Sequence, residues 1–445
     1  MRYTSVEEYA NAKAEFALVW LVYGAGAAAV LALVAKPSLL AFAVLGTLFA
    51  LVAWTLPELL LVLYLLIGPL KATDVGARVT AVAREVVPVD LTVLTALALI
   101  GAIAVSLWRY RQLPFSVPAP ALFFLALGLL LLLRVPGSPD PQAGLQKAFQ
   151  FQVLSGLAFL APLALVRTRA SVYRTFALFV VVGLVIAFTA DPAERSDAVL
   201  VLPGADNQIQ VGLLLGLGIV AIVGYLWPAS SGWLRLVWLP PAAFLLVKLV
   251  AAGGRSALVG TLLACGVALL CLLRSGGRDR LAAVALVGVL AALIPAAWVS
   301  SSPAVQDRYL VTIEGVRGGA GLSADGADRA LLADAAVSLF REHPAGVGTA
   351  GYKSMTGYEW PHNIALEVAS ELGIPGLATL TALFAGIAVV LRRSARRRPI
   401  RNEVIGAATL LALPLAVAFA SFDLNGNRVL WFGCGLCLAV SRLEA

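Results

Sequence analysis

Predominantly apolar stretches run near 16–35, 38–55, 57–70, 89–107, 119–134, 147–166, 175–190, 207–226, 232–250, 255–273, 281–299, 373–392, 402–421 and 427–441. A membrane-crossing helix needs about 20 predominantly apolar residues, and most of these stretches approach that length. The pattern predicts an all-α, polytopic integral membrane protein. The pieces on either side of Pro57 are short and can be partial spans, which leaves roughly 12–14 transmembrane helices.

The polar positions between the stretches set an orientation. Arg109 and Arg111; Arg167, Arg169 and Arg174; Arg274, Arg278 and Arg280; and Arg392, Arg393, Arg396, Arg397, Arg398 and Arg401 all fall on one side when fourteen spans are threaded. Lys and Arg accumulate in cytoplasmic loops, so that side is assigned to the cytoplasm, with both termini. Met1 to Lys13 is polar and mixed in charge and precedes a full-length span without a small-residue cleavage site, so it reads as an uncleaved first anchor.

The same parity puts the one long polar interval, residues 300–372, on the periplasmic or external face as a loop between transmembrane helices. Asp325 or Asp328 can start a helix there, with Leu331, Leu332, Ala335, Ala336, Leu339 and Phe340 as a single stripe. Pro344 stops it after His343. Such a short amphipathic helix suits the membrane surface or the mouth of the bundle. The turn Ala345 to Gly351 follows, with glycines at 346, 348 and 351. It lacks the lysine and Ser/Thr of a phosphate loop and no strand precedes it, so nucleotide binding is not expected.

Composition agrees: 60% of residues are hydrophobic and 13% charged, with a mean hydropathy of +0.91. Residues 1–445 read as one membrane domain with no room for a second soluble one. The net charge of +8 is accounted for by cytoplasmic loops, so no nucleic-acid partner is expected. Cys265, Cys271, Cys434 and Cys437 all lie in apolar stretches, where helix packing is expected rather than disulfide or zinc chemistry.

Chemistry is sought on the outer side. His362 is one of only two histidines. Pro361 suits the first position of a helix, which predicts His362 in the first turn, where the positive end of the helix dipole favours the neutral ring. A neutral imidazole can act as a general base. Arg255, in Gly253-Gly254-Arg255-Ser256, is expected at the outer boundary, with space around a guanidinium suited to phosphate. Arg195, in the loop from Asp191 to Gln208, is either a second phosphate ligand or a solvated loop charge. Arg329 lies on the amphipathic helix, where facing solvent is the default. Glu367 and Glu371 share a helix face; the offset from His362 argues against a His–Glu dyad, and Glu371 is expected to cap or pair where the surface helix breaks. Glu58 reads as a first-turn carboxylate complementing its helix. No spacing of His, Asp or Glu suggests a metal site, and no cofactor is expected.

Arg329, Phe340-Arg341-Glu342-His343-Pro344-Ala345-Gly346-Val347-Gly348, Gly351-Tyr352, His362-Asn363 and Glu371-Leu372-Gly373-Ile374-Pro375-Gly376, together with Gly254-Arg255-Ser256, resemble the O-antigen ligase and polymerase superfamily. The resemblance covers mainly Asp191 to Leu377. It implies a membrane glycosyltransferase of the bacterial inner membrane with its site open to the periplasm or exterior. Such an enzyme transfers a glycan from undecaprenyl pyrophosphate to an acceptor hydroxyl, without metal and with inversion. On this chain His362 would be the base, Arg255 and less securely Arg195 the diphosphate ligands, and Asn363, Glu371, Tyr352 and Arg329 supporting residues. The intact histidine motif and the long outer loop favour a ligase acting on lipid A core; a polymerase joining lipid-linked repeat units is the alternative, and some relatives glycosylate proteins. A lipid-linked glycan transporter would place its ionisable residues near the midplane, often in repeated halves; here the informative charges gather at one face.

Overall fold

The computed structural model describes residues 51–71, 90–110, 118–192, 200–201, 208–274, 278–303, 305–307, 309–310, 324–397 and 400–443. Within them α1 (Pro57–Lys71), α2 (Leu91–Tyr110), α3 (Ala119–Leu133), α4 (Pro141–Leu165) and α5 (Arg169–Thr189) come first. A two-residue antiparallel pair, Asp191–Pro192 with Leu200–Val201, separates them from α6 (Ile209–Ala229), α7 (Gly232–Ala251), α8 (Arg255–Leu273) and α9 (Arg278–Val299). The long interval contributes α10 (Ala324–Glu342) and α11 (Gly351–Thr356), and the bundle closes with α12 (Ile364–Ser394), α13 (Arg401–Ala418) and α14 (Arg428–Val440). The protein is an all-α, multi-pass membrane protein.

Apart from α10 and α11, these helices correspond one for one to the twelve apolar stretches expected from residue 57 onward. Eight are long and apolar enough to cross a membrane and four are shorter. The stretch 16–35 and most of 38–55 lie outside the described residues. Three starts lie six or more residues ahead of the apolar stretch, because polar residues open the helices: α5 begins at Arg169, with Thr168 as its cap. α4 begins at Pro141, where Asp140 accepts a hydrogen bond from the Ala143 N–H at 2.9 Å; α12 begins at Ile364, nine residues before its apolar run.

Side chains sort by what surrounds them. Leu122, Phe123, Leu125 and Leu129 of α3 are exposed, as a lipid-facing surface requires, whereas Phe124, Leu127 and Leu131 point inward. Phe124 stacks on Phe151 and Phe159 of α4 with centroids 5.2 and 4.1 Å away, and Trp431 of α14 meets Phe124 and Phe151 edge-on. α6 is buried along nearly its whole length and packs on α5, α7, α8 and α13, which makes it the central helix. It gets that close through Gly212 and Gly216: a Cβ at either would lie 2.8 Å from the Ala257 Cβ or 2.4 Å from the Thr261 Oγ1 of α8. Small residues that admit a neighbouring helix are the usual means of packing in lipid, where hydrophobicity supplies no drive between helices.

Alternating helix directions bring the connections 134–140, 251–255 and 419–427, with the described residues 324–363, to one end of the bundle. Arg109, Arg167, Arg174, Arg274, Arg392 and Arg393 lie toward the other.

Candidate functional site

α10 lies against α12, with Ala336 and Leu339 buried and Leu331 turned outward, so the inward stripe is narrower than the pattern predicts. The phenol of Tyr352, on the buried face of α11, donates to the Leu332 carbonyl at 3.0 Å. Burial raises the pKa of this tyrosine above its ordinary value.

α12 is broken at Gly373, whose backbone (φ +67°, ψ −156°) leaves the helix. The break exposes carbonyls that the turn 344–348 takes up. The Val347 N–H donates to Ser370 O at 2.9 Å and the Gly348 N–H to Glu371 O at 3.0 Å, while the Ile374 N–H donates to Pro344 O at 2.9 Å. Glycine is demanded on both sides. Gly346 has φ +86° and a Cβ there would stand 2.4 Å from Glu371 O; one at Gly373 would stand 2.3 Å from Pro344 O. The two glycine motifs of the sequence are therefore one interlocked unit. Arg134, at the end of α3, clamps it by donating to the carbonyls of Ala345 and Gly346.

Beneath this unit lies a charge cluster that the sequence reading missed. Lys147 Nζ stands 2.6 Å from Glu367 and 2.8 Å from both carboxylate oxygens of Glu371. The second Glu367 oxygen accepts the Leu424 N–H at 2.7 Å, and Glu371 Oε2 accepts the Ala350 N–H at 3.0 Å. Both carboxylates are buried. Glu371 pairs at the helix break, as expected. The available signal was a lysine opening one apolar stretch while two acids a turn apart sat just ahead of another; a charge at such an edge, once buried, requires a partner.

His362 is not in the first helical turn. Asn363 is the N-cap of α12, its side-chain oxygen accepting from the N–H groups of Ala365 at 2.9 Å and Leu366 at 3.1 Å. His362 therefore precedes the helix, with a left-handed φ of +52°. Its Nδ1 lies 2.9 Å from Ser421 O and 3.1 Å from Trp360 Nε1. Nδ1 can donate to the carbonyl or accept from the indole, not both; the first arrangement leaves Nε2 with its lone pair.

The turn between α13 and α14 is where the predicted residues meet. Asn363 Nδ2 donates to Phe419 O at 2.9 Å, Arg329 donates to Ala420 O at 3.0 Å, and His362 contacts Ser421 O. Ser421 Oγ in turn donates to Ser256 Oγ at 3.0 Å, next to the half-buried Arg255. His362, Asn363, Arg329 and the Arg255 turn thus converge on 419–421. Arg329 is engaged there rather than facing solvent. Tyr352 and Glu371 belong to the surrounding frame. Arg195 lies outside the described residues. Among the described residues, no group of three His, Cys, Asp or Glu is placed to hold a metal ion.

Two further outer cations, Lys353 and Lys71, are paired. Lys353 meets Glu359 on the surface, and Lys71 meets Asp90, whose carboxyl it holds well below the usual carboxylate range.

No curated protein sequence matches the chain. Residues 240–381 match the family model described as O-antigen ligase, an interval that holds Arg255, Arg329, both glycine motifs, Tyr352, His362, Asn363 and Glu371. Over that interval, about a third of the chain, the protein is similar to the O-antigen ligase family.

Proposed function

We propose that this protein is an inverting, metal-independent glycosyltransferase that moves a glycan from undecaprenyl pyrophosphate to an acceptor hydroxyl at the periplasmic face of the bacterial inner membrane. The preferred acceptor is lipid A core. The observation that carries the reading is the placement of the His362 ring and the Arg255 turn on the same short segment, through Ser421 and Ser256.

With Nδ1–H given to the Ser421 carbonyl, His362 Nε2 takes the proton of the acceptor hydroxyl. The acceptor oxygen attacks the anomeric carbon, and the bond from that carbon to the pyrophosphate oxygen breaks on the opposite face, which inverts the configuration. Charge gathers on the departing undecaprenyl pyrophosphate. The Arg255 guanidinium, a bidentate phosphate ligand by its geometry, is the group assigned to meet it. Arg195 is assigned as its second ligand, and Asn363 and Arg329 hold the 419–421 turn to which the histidine is keyed.

The test is transfer by purified protein from a glycan-linked undecaprenyl pyrophosphate, in the presence of chelator, to lipid A core or to a second lipid-linked unit. Product on lipid A core supports the ligase; product on the lipid-linked unit alone assigns a polymerase. His362→Ala is expected to lower turnover by at least about 100-fold in a folded protein. Full activity in that variant removes the histidine from the base role.

A further inference from the structure

Two neighbours make opposite demands on His362 Nδ1. Ser421 O, at 2.9 Å, only accepts a hydrogen bond, and Trp360 Nε1, at 3.1 Å, only donates one. A single ring nitrogen serves one of them at a time. With Nδ1–H bonded to Ser421 O, Nε2 keeps the lone pair that a base needs. With Nδ1 accepting from the indole, the proton sits on Nε2, and no ring nitrogen is left to take a proton from a hydroxyl. The choice of tautomer is thus a choice between a competent base and an idle one.

The local chain holds this competition in place. Pro361 is buried and fixes its own φ. Asn363 is tied by its cap bonds to Ala365 and Leu366 and by its amide to Phe419 O. His362 stands between them at φ +52°, with the Trp360 ring tilted 70° to the imidazole and the centroids 5.7 Å apart. The two arrangements differ in cost: one leaves an indole N–H without its acceptor, the other leaves a carbonyl without its donor. Folded proteins tolerate an idle carbonyl better than an idle N–H, so the balance lies with the indole bond and with Nε2–H. A second acceptor for the indole reverses it. Trp360 and His362 are both half-buried, so a ligand oxygen can reach the pair and solvent can carry a proton from Nε2 to Nδ1. Sugar hydroxyls supply such oxygens.

We propose that Trp360 is a positioning residue that keeps His362 in the idle Nε2–H tautomer until a hydroxyl oxygen of the acceptor glycan takes the indole N–H. Nδ1 then carries the proton and donates it to Ser421 O, and Nε2 becomes the base. The inference rests on the base role proposed for His362. It spares the donor from water, because a base that is always competent would activate water as well as a sugar hydroxyl.

The tautomer is read by ¹⁵N NMR of full-length protein with labelled histidine, in detergent and at a pH that keeps the ring neutral, since protonated and unprotonated ring nitrogens differ in shift. His343, exposed at the end of α10, is replaced by glutamine so that His362 is the one histidine. Without acceptor, Nε2–H is expected to predominate. Trp360→Phe keeps an aromatic ring but deletes the donor, and should move the ratio toward Nδ1–H by about three- to tenfold. Lipid A core, at a concentration that saturates transfer, should move the parent the same way; if transfer runs only to the lipid-linked unit, that compound is added instead. A parent already in the Nδ1–H form, a ratio unchanged in Trp360→Phe, or a ratio unchanged by the acceptor that supports transfer overturns the proposal. Should Trp360→Phe not purify as a single species, the parent with labelled tryptophan and histidine carries the test. A ¹⁵N–¹⁵N coupling across the Trp360–His362 hydrogen bond is then expected without acceptor, and its absence overturns the proposal. The Trp360→Phe spectra need no turnover, whereas failure of the base role is read from full activity in His362→Ala, so the two failures are told apart.

Discussion

At His362 the backbone stands at φ +52°, a conformation that a β-carbon disfavours by roughly 1–2 kcal/mol. Non-glycine residues in this region concentrate at functional sites. Glycine has no such penalty, so two ringless variants separate backbone from chemistry: His362→Gly should be more stable than His362→Ala by about 1 kcal/mol, and both should lose transfer. Thermal unfolding in one detergent reads the difference; an alanine variant as stable as the glycine one removes the strain. Lys147 offers a larger effect. Its replacement by methionine leaves Glu367 and Glu371 buried without their ammonium, and breaking a buried pair costs about 3–5 kcal/mol. Adding Glu367→Gln and Glu371→Gln to Lys147→Met should recover most of that stability, since the amides still accept from the Leu424 and Ala350 N–H groups. A Lys147→Met protein as stable as the parent would sink the account.

Between elements, the decisive contact is the turn 344–348 locked into the break of α12. Gly346→Ala and Gly373→Ala would each drive a Cβ into backbone, at 2.4 and 2.3 Å. Each is expected to cost well over 2 kcal/mol and to speed amide hydrogen exchange in residues 344–351, whereas Gly357→Ala, with φ +76° and open space around it, meets only the left-handed penalty of about 1 kcal/mol. Comparable exchange in all three variants would show that the lock is not needed. This contact also marks how far the sequence could be read. Apolar runs are a local property, so the twelve helices from residue 57 onward were legible, as were the end of α10 before Pro344 and the glycine turn. The lock was not, because residues 344–348 and 370–374 find each other only in three dimensions. The position of His362 was misread for a definable reason. Proline at 361 argued for a helix start, but the Asn363 side chain can satisfy two N–H groups of the first turn, and that capping bond moved the start to Ile364. Lys147 escaped because it sits at the edge of an apolar run and its partners are more than two hundred residues away.

Across the whole molecule, the helices carry two unlike ends. One gathers the 419–421 turn, His362 and Arg255; the other gathers Arg109, Arg167, Arg174 and the last turn of α12 with Arg392 and Arg393. Positive residues favour the cytoplasm, and the proposed reaction needs its base on the opposite face, where the glycan donor is met. Orientation can be tested independently of activity because the native cysteines make a quiet background: Cys265, Cys434 and Cys437 are buried and Cys271 is half-buried. Lys353→Cys gives up only an exposed pair with Glu359, the kind of contact that contributes about 0–1 kcal/mol, and Arg393→Cys replaces an exposed residue at the far end. A membrane-impermeant maleimide applied to intact cells should modify the first and spare the second until the membrane is opened. The reverse pattern would place His362 in the cytoplasm and remove the proposed reaction from the face where its substrates meet, while leaving the fold as described.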